Sequence, residues 1–188
     1  MFERLPATGL TLGLLFGLSS LANAAIVPGA KLFVIDPNVD ITLTFLDGAG
    51  AGFNNNLLLA EPGNLAVIFN NHTSGVGTTS NQGRFAANTE LVFKLESNPG
   101  SIINTFFSGP AARNPDNFIH ALVDTGFDVA NGLFSVGFED QSNGGDQNYL
   151  DMVFSINNVR IDSVPLPPAM LLLGSSWLGL ALRLRKRA

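Results

Sequence analysis

The chain has 188 residues, no cysteine, 46% hydrophobic residues and a formal net charge of −5. Without cysteine there is neither a disulfide scaffold nor a thiol nucleophile, so a folded region must rest on its core or on bound ions. Between residues 25 and 163 fourteen acidic residues stand against five basic ones, which excludes a nucleic-acid partner, because phosphate backbones are bound by basic surfaces.

The N-terminus carries Arg4, then the apolar run Leu10 to Leu18, then Ala22-Asn23-Ala24. Charge, short apolar run and small-residue site in that order describe a secretory signal peptide over residues 1–24. Such a segment addresses the chain to the Sec export machinery, with cleavage after Ala24. The apolar run is too short to span a bilayer, which takes about 20 residues. Leu5-Pro6-Ala7-Thr8-Gly9 matches a sortase pattern, but it lies inside the segment expected to be removed and reads as coincidence.

The middle reads as short strands. Ile41-Thr42-Leu43-Thr44-Phe45 alternates apolar and polar residues, as a half-buried strand does. Asn54-Asn55-Asn56 reads as a polar turn, Leu65 to Phe69 as a strand, and Gly75 to Gly83 as a mobile glycine-rich loop. Strands are then expected at Glu90 to Leu95, Ile102 to Phe107, Ile119 to Val123, Leu133 to Phe138, Met152 to Ile156 and Val159 to Ile161. Turn residues such as Pro62-Gly63, Asn98-Pro99-Gly100 and Asn131-Gly132 separate them. No helical period persists over three turns. The pattern predicts an all-β ectodomain over 25–163, a single β-sandwich of jelly-roll-like form. The 15 phenylalanines are expected chiefly in its core.

Catalytic constellations are absent. There is no Gly-x-Ser-x-Gly elbow. Gly48-Ala49-Gly50-Ala51-Gly52 follows a strand but lacks the helix of a dinucleotide loop. The histidines are His72 and His120; a zinc site built on two histidines needs carboxylate help. His120, among Ile119, Ala121 and Leu122, reads as a hydrogen-bonded histidine at a strand edge. Acidic pairs could serve glycoside hydrolysis, but closeness in sequence does not set their separation in space. The reading is a non-enzyme.

The densest chemistry lies between two alternating strands. Phe134, Val136 and Phe138 share one face of the first; Leu150, Met152, Phe154 and Ile156 share one face of the second. Between them Glu139, Asp140, Asp146 and Asp151 stand with no basic residue, bent by Gly144-Gly145, with Asn148 as a further oxygen donor. Calcium takes 6–8 oxygen ligands, and crowded carboxylates repel until a cation relieves them. Counted from Asp140, glycine falls at position 6 and a carboxylate at position 12, as in an EF-hand loop. Strand-like flanks, with Ser142 and Gly144 at positions 3 and 5, exclude that motif. A different calcium loop and a solvated acidic loop both remain open.

The C-terminal segment, 164–188, has three parts. Val164-Pro165-Leu166-Pro167-Pro168 breaks the preceding strand, Ala169 to Leu182 is uncharged, and Arg183, Arg185, Lys186 and Arg187 form a basic end. The uncharged run makes a transmembrane helix of about 21 Å, short of a core of about 30 Å but extended by snorkelling arginines. Basic flanks stay cytoplasmic, which places the domain outside the inner membrane.

This three-part end resembles the PEP-CTERM sorting signal of exosortase-processed proteins in Gram-negative bacteria, with Leu166 where that family commonly has glutamate. The resemblance implies transient anchoring in the inner membrane, processing by an exosortase, and a final place at the cell surface or in the extracellular matrix. Val136-Gly137-Phe138-Glu139-Asp140 with Gly144-Gly145-Asp146-Gln147-Asn148-Tyr149-Leu150-Asp151 resembles the signature of the DUF4114 family, as do Asn114-Pro115-Asp116 and His120-Ala121. The likeness spans about Glu90 to Val159. Asn148 stands where the family has aspartate and Leu150 where it has asparagine. The resemblance implies a β domain and no particular reaction. The expected function is a structural or adhesive surface or matrix protein, calcium-stabilised at the acidic loop. The alternative is a carbohydrate-binding module that retains exopolysaccharide or a similar surface polymer.

Overall fold

Alternation of apolar and polar residues sets the strands, and a computed structural model describes them over residues 25–63, 65–100 and 102–162. They are β1 (Ile26–Pro28), β2 (Leu32–Val34), β3 (Ile41–Asp47), β4 (Asn54–Glu61), β5 (Val67–Asn70), β6 (Thr79–Gly83), β7 (Glu90–Asn98), β8 (Asn104–Phe107), β9 (Ala121–Asp128), β10 (Leu133–Phe138), β11 (Met152–Ile156) and β12 (Val159–Ile161). The expected signal peptide with Ala22 and Ala24 lies outside the described residues. So does the sorting segment with Val164, Pro165, Leu166, Pro167, Arg183, Arg185, Lys186 and Arg187. Among the described residues no helix is long and apolar enough to cross a membrane.

Two antiparallel sheets result. One runs β1-β9-β10-β11-β3-β6; the other runs β12-β2-β7-β4-β5, with β8 also on β7. Strand β7 is the long member of the second sheet. It carries β4 along one edge and β2 and β8 on the other. The inward rows of the two sheets share one core. Leu43 and Phe45, Val136 and Phe138, and Met152, Phe154 and Ile156 come from the first; Leu57 and Leu59, and Leu91, Phe93 and Leu95, come from the second. The rings of Phe93 and Phe154 meet between the sheets with centroids 5.0 Å apart, tilted by 59°. Each such side chain contributes about 1.5–3 kcal/mol on full burial.

Three strands match the sequence reading to the residue: β10, β11 and β12. Others do not. Asn54-Asn55-Asn56 is no turn but the start of β4, paired Asn54 to Asn98, Asn55 to Ser97 and Asn56 to Glu96. Asparagine's poor strand propensity yields to the ladder and to the Leu57-Leu58-Leu59 run that follows. The second half of the expected mobile loop is β6, paired to β3 from Thr44–Thr79 to Ile41–Gly83. Backbone pairing needs no apolar side chain, and a polar strand at a sheet edge discourages pairing with other chains. Strands β1 and β2 have three residues each, too few for a period to show. Strand β8 begins at Asn104, because Ile102 and Ile103 point to solvent, and β9 begins at Ala121 rather than Ile119.

Candidate metal centre

The register of the first sheet gathers the acidic residues. Phe138, the last residue of β10, lies opposite Ala121 of β9 and Met152 of β11. The next positions outward are Glu139, His120 and Asp151, so three separate stretches of chain meet at one sheet end. The Glu139 amide donates to the His120 carbonyl at 3.0 Å, and the Asp151 amide to the Phe138 carbonyl at 3.2 Å. Asp140 continues the inward row Val136, Phe138 and so faces the second sheet.

Glu139, Asp140 and Asp151 are each buried, and one carboxylate oxygen from each lies within 4.8 Å of the other two. Among the described residues none of the three makes an ion pair. Hydrogen bonds from neutral groups hold them instead. Glu139 accepts from the amides of Gln141 at 3.2 Å and Gln147 at 3.0 Å. Asp151 Oδ2 accepts the Asp140 amide at 3.0 Å, and Asp140 Oδ2 accepts from Asn55 Nδ2 at 2.8 Å.

Burial without a counter-charge penalises ionisation. Burial, then the negative charge of Asp151, pushes Glu139 up to about 7, against the Gln141 amide and with help from Asp146. Burial also pushes Asp151 up to about 6, despite the Asp140 amide, with Asp140 and Asp146 adding repulsion. Asp140 is raised as well, by burial first, and Asn55 offsets part of the rise.

The other expected ligands fall differently. Asp146 is exposed, and its carboxylate takes the backbone amide and Nδ2 of Asn148 at 3.1 and 2.7 Å. Its carboxyl interacts with Glu139 by charge and by a side-chain hydrogen bond, both raising the Glu139 pKa, but it is not one of the three mutually close acids. Asn148 is exposed and turned to Asp146 and to the Leu150 amide. Leu150 is not on the inward face with Met152; it lies before β11 and is 49% exposed.

The loop folds back by left-handed backbone. Gly144 and Gly145 have φ of 82° and 42°, and Gln147 and Tyr149 hold 57° and 55°. A Cβ on Gly144 would overlap the Phe118 ring, and one on Gly145 would overlap Glu139 Oε1. Both glycines are therefore needed for close approach as well as for φ.

His120 supports the site rather than joining it. It is fully buried, with Nδ1 3.0 Å from the Glu139 carbonyl and Nε2 2.9 Å from Asp116 Oδ2. The same Asp116 oxygen accepts the Asn143 amide at 2.7 Å and so ties the loop to the β8–β9 connection. Burial works to raise the Asp116 pKa, but bonds from Asn143, His120 and Phe118 outweigh it and lower the value. The expectation of a hydrogen-bonded histidine holds, although the ring is covered rather than at an open edge.

Sequence reasoning missed Asn55 and Ser97. They stand opposite each other at the ends of the inward rows Leu59, Leu57, Asn55 and Phe93, Leu95, Ser97. Asn55 Oδ1 and Ser97 Oγ are buried without a partner. The period-2 row running from Leu59 back to Asn55 was the available signal.

The family model described as Domain of unknown function (DUF4114) matches residues 56–158, more than half of the chain. The match reaches upstream of Glu90 to include β5, β6 and β4 from Asn56 onward. No curated protein and no solved structure matches the chain.

Proposed function

We propose that this chain, which belongs to the DUF4114 family, is an exported surface or matrix protein with a structural or adhesive role, its β-sandwich stabilised by calcium. One observation carries the reading: three buried carboxylates, Glu139, Asp140 and Asp151, share a space within 4.8 Å and have no positive partner among the described residues. The fit to a cation is chemical. Opposed ligands of calcium, bound at about 2.3–2.6 Å, stand about 5 Å apart at most, which suits this spacing. The all-oxygen donor set is that of a hard cation, and Asn55 Oδ1 is a buried oxygen still wanting a partner. Bound calcium would supply the positive charge that the cluster lacks. The protein's part is to hold the carboxylates in place, through the Gln147 amide on Glu139 and the Asp140 amide on Asp151.

Export is supported by the order of segments in the sequence: signal peptide at 1–24, Pro-rich break, apolar run and basic end. On this reading the Sec machinery exports the chain, the inner membrane holds it briefly, and an exosortase processes it. The role is non-enzymatic. The test is protease digestion of intact cells that make the full chain. The domain should be reachable from outside and resistant in calcium, then digested on chelation. Digestion only after lysis, or at the same rate with and without calcium, contradicts the reading.

One feature favours a second reading, a carbohydrate-binding module that retains exopolysaccharide. A cleft of about 480 Å³ beside the acidic loop is lined by Phe118, Tyr149 and Leu122 together with Asn117 and Gln147. Aromatic residues with a few polar groups are the usual lining of a small-molecule site, and a sugar is the ligand this reading assigns. Retention of one polysaccharide on a glycan array, lost in Tyr149→Ala, would move the conclusion to this reading.

A further inference from the structure

The core of the second sheet ends in polar atoms. Asn55 is the inward residue of β4 beyond Leu57 and Leu59, and Ser97 is its directly opposed neighbour on β7. Both are fully buried. Their side-chain oxygens, Asn55 Oδ1 and Ser97 Oγ, are the buried side-chain polar atoms left without a hydrogen bond among the described residues. A buried polar atom left unpaired is costly, and each one calls for a reason, a bound ion among them. These two lie side by side rather than scattered, and Asn55 already touches the acidic cluster through Nδ2 on Asp140.

We infer that Asn55 is a metal ligand supplied by the opposite sheet, so that the cation is held by Glu139, Asp140 and Asp151 from one sheet and by the Asn55 carbonyl oxygen from the other. The inference rests on the cation reading above and adds to it a residue, a direction and a consequence. Asn55 Nδ2 and Oδ1 are borne on one carbon. Half a turn of the carboxamide exchanges them, replacing a donor aimed at a carboxylate with an acceptor aimed at a cation. The donor faces Asp140 at 2.8 Å. With a cation bound, the oxygen turns in and the orphan is satisfied. The ion then ties β4 to the loop between β10 and β11, and acts as a clamp between the two sheets rather than as a staple within one hairpin.

Four protein oxygens, one of them neutral, fall short of the 6–8 that calcium takes, so water fills the rest of the shell. Ser97 Oγ, unpaired and adjacent to Asn55, is the protein group available to hold such a water.

The test is calorimetric titration of the purified full chain with calcium, using wild type, Asp151→Asn, Asn55→Leu and Asn55→Asp. Wild type should bind one ion, and Asp151→Asn should bind none. Asn55→Leu keeps the side chain's size but has no oxygen, and should weaken binding at least tenfold. Asn55→Asp should melt lower than wild type in chelator, because it adds a fourth buried carboxylate, and should gain more than wild type from calcium. A merely structural Asn55, acting as a donor to Asp140, would give the first effect without the second. Should Asn55→Leu fail to fold, the two responses of Asn55→Asp decide. Wild-type affinity in Asn55→Leu, or no calcium rescue of Asn55→Asp, overturns this inference while leaving the cation reading intact. No binding by wild type overturns both.

Discussion

Asn55 Nδ2 donates to Asp140 Oδ2 across 2.8 Å, a contact between β4 of one sheet and the acidic loop hung from the other. It is the direct link between the core's polar end and the carboxylate cluster. Around it stand two more buried carboxylates and two unpaired oxygens. Three buried acids thus crowd one space with no positive partner among the described residues.

Asp151→Asn keeps an oxygen to accept the Asp140 amide and removes one charge from the cluster. In chelator at pH 8 the variant should melt higher than wild type, by a few degrees, because repulsion is relieved. Calcium should then add nothing. Thermal unfolding of the two proteins in chelator and in calcium checks both halves.

The pH dependence should reverse with calcium. Glu139 and Asp151, at about 7 and about 6 when folded, lie above their ordinary values of 4.5 and 3.8. The folded state therefore binds more protons than the unfolded state across that interval. Without metal, stability falls as pH rises from about 5 to about 8, by up to about 1.4 kcal/mol per pH unit for each proton. With calcium, protons compete for the same oxygens and stability rises with pH over the same window. Urea unfolding at four or five pH values, with and without calcium, reads the two slopes.

Gly145→Ala should separate ion binding from folding. The added Cβ would overlap Glu139 Oε1, while the residue itself lies in a loop outside the core. Gly132, with φ of 66° and nothing within 4 Å of its added Cβ, is the control for an alanine placed at positive φ without a clash. The backbone cost is about 1–2 kcal/mol at Gly132, whose φ of 66° and ψ of 31° are left-handed helical; Gly145, at φ 42° and ψ −126°, lies outside that region and costs more. Gly132→Ala should keep the calcium-dependent rise in melting temperature, and Gly145→Ala should lose most of it.

The core makes a prediction independent of metal. Phe93→Ala or Phe154→Ala should each cost about 3–5 kcal/mol. A double-mutant cycle should return about 0.5–1.5 kcal/mol of coupling for the tilted pair at 5.0 Å. Denaturant unfolding of the three variants measures it.

The hairpin that carries the site was legible because an apolar residue falls at every second position of its strands, Phe134, Val136 and Phe138 in one and Met152, Phe154 and Ile156 in the other. Phe134 to Phe138 and Met152 to Ile156 pair residue for residue, so the loop between them, and the presence of Glu139, Asp140 and Asp151 near one another, could be read directly. Which acids would converge could not. Asp146 and Asn148 turn to each other in the exposed half of the loop, and only the fold back through Gly144 and Gly145 decides that. The cross-sheet half was hidden by propensity. Three successive asparagines look like a turn, yet Asn55 keeps the inward register of Leu57 and Leu59 and reaches Asp140, 85 positions along the chain. Strand β6 was hidden for a related reason: an edge strand of Thr79-Ser80-Asn81-Gln82-Gly83 carries its order in backbone pairing with β3, which leaves no apolar trace.

The most direct measurement is the melting temperature of the purified full chain at pH 7.5 in millimolar calcium and in excess chelator, beside Asp151→Asn. At 100 times its dissociation constant a ligand of the folded state adds about 2.7 kcal/mol. The account predicts a rise of several degrees in wild type and none in the variant. Equal melting temperatures for wild type in calcium and in chelator would contradict it.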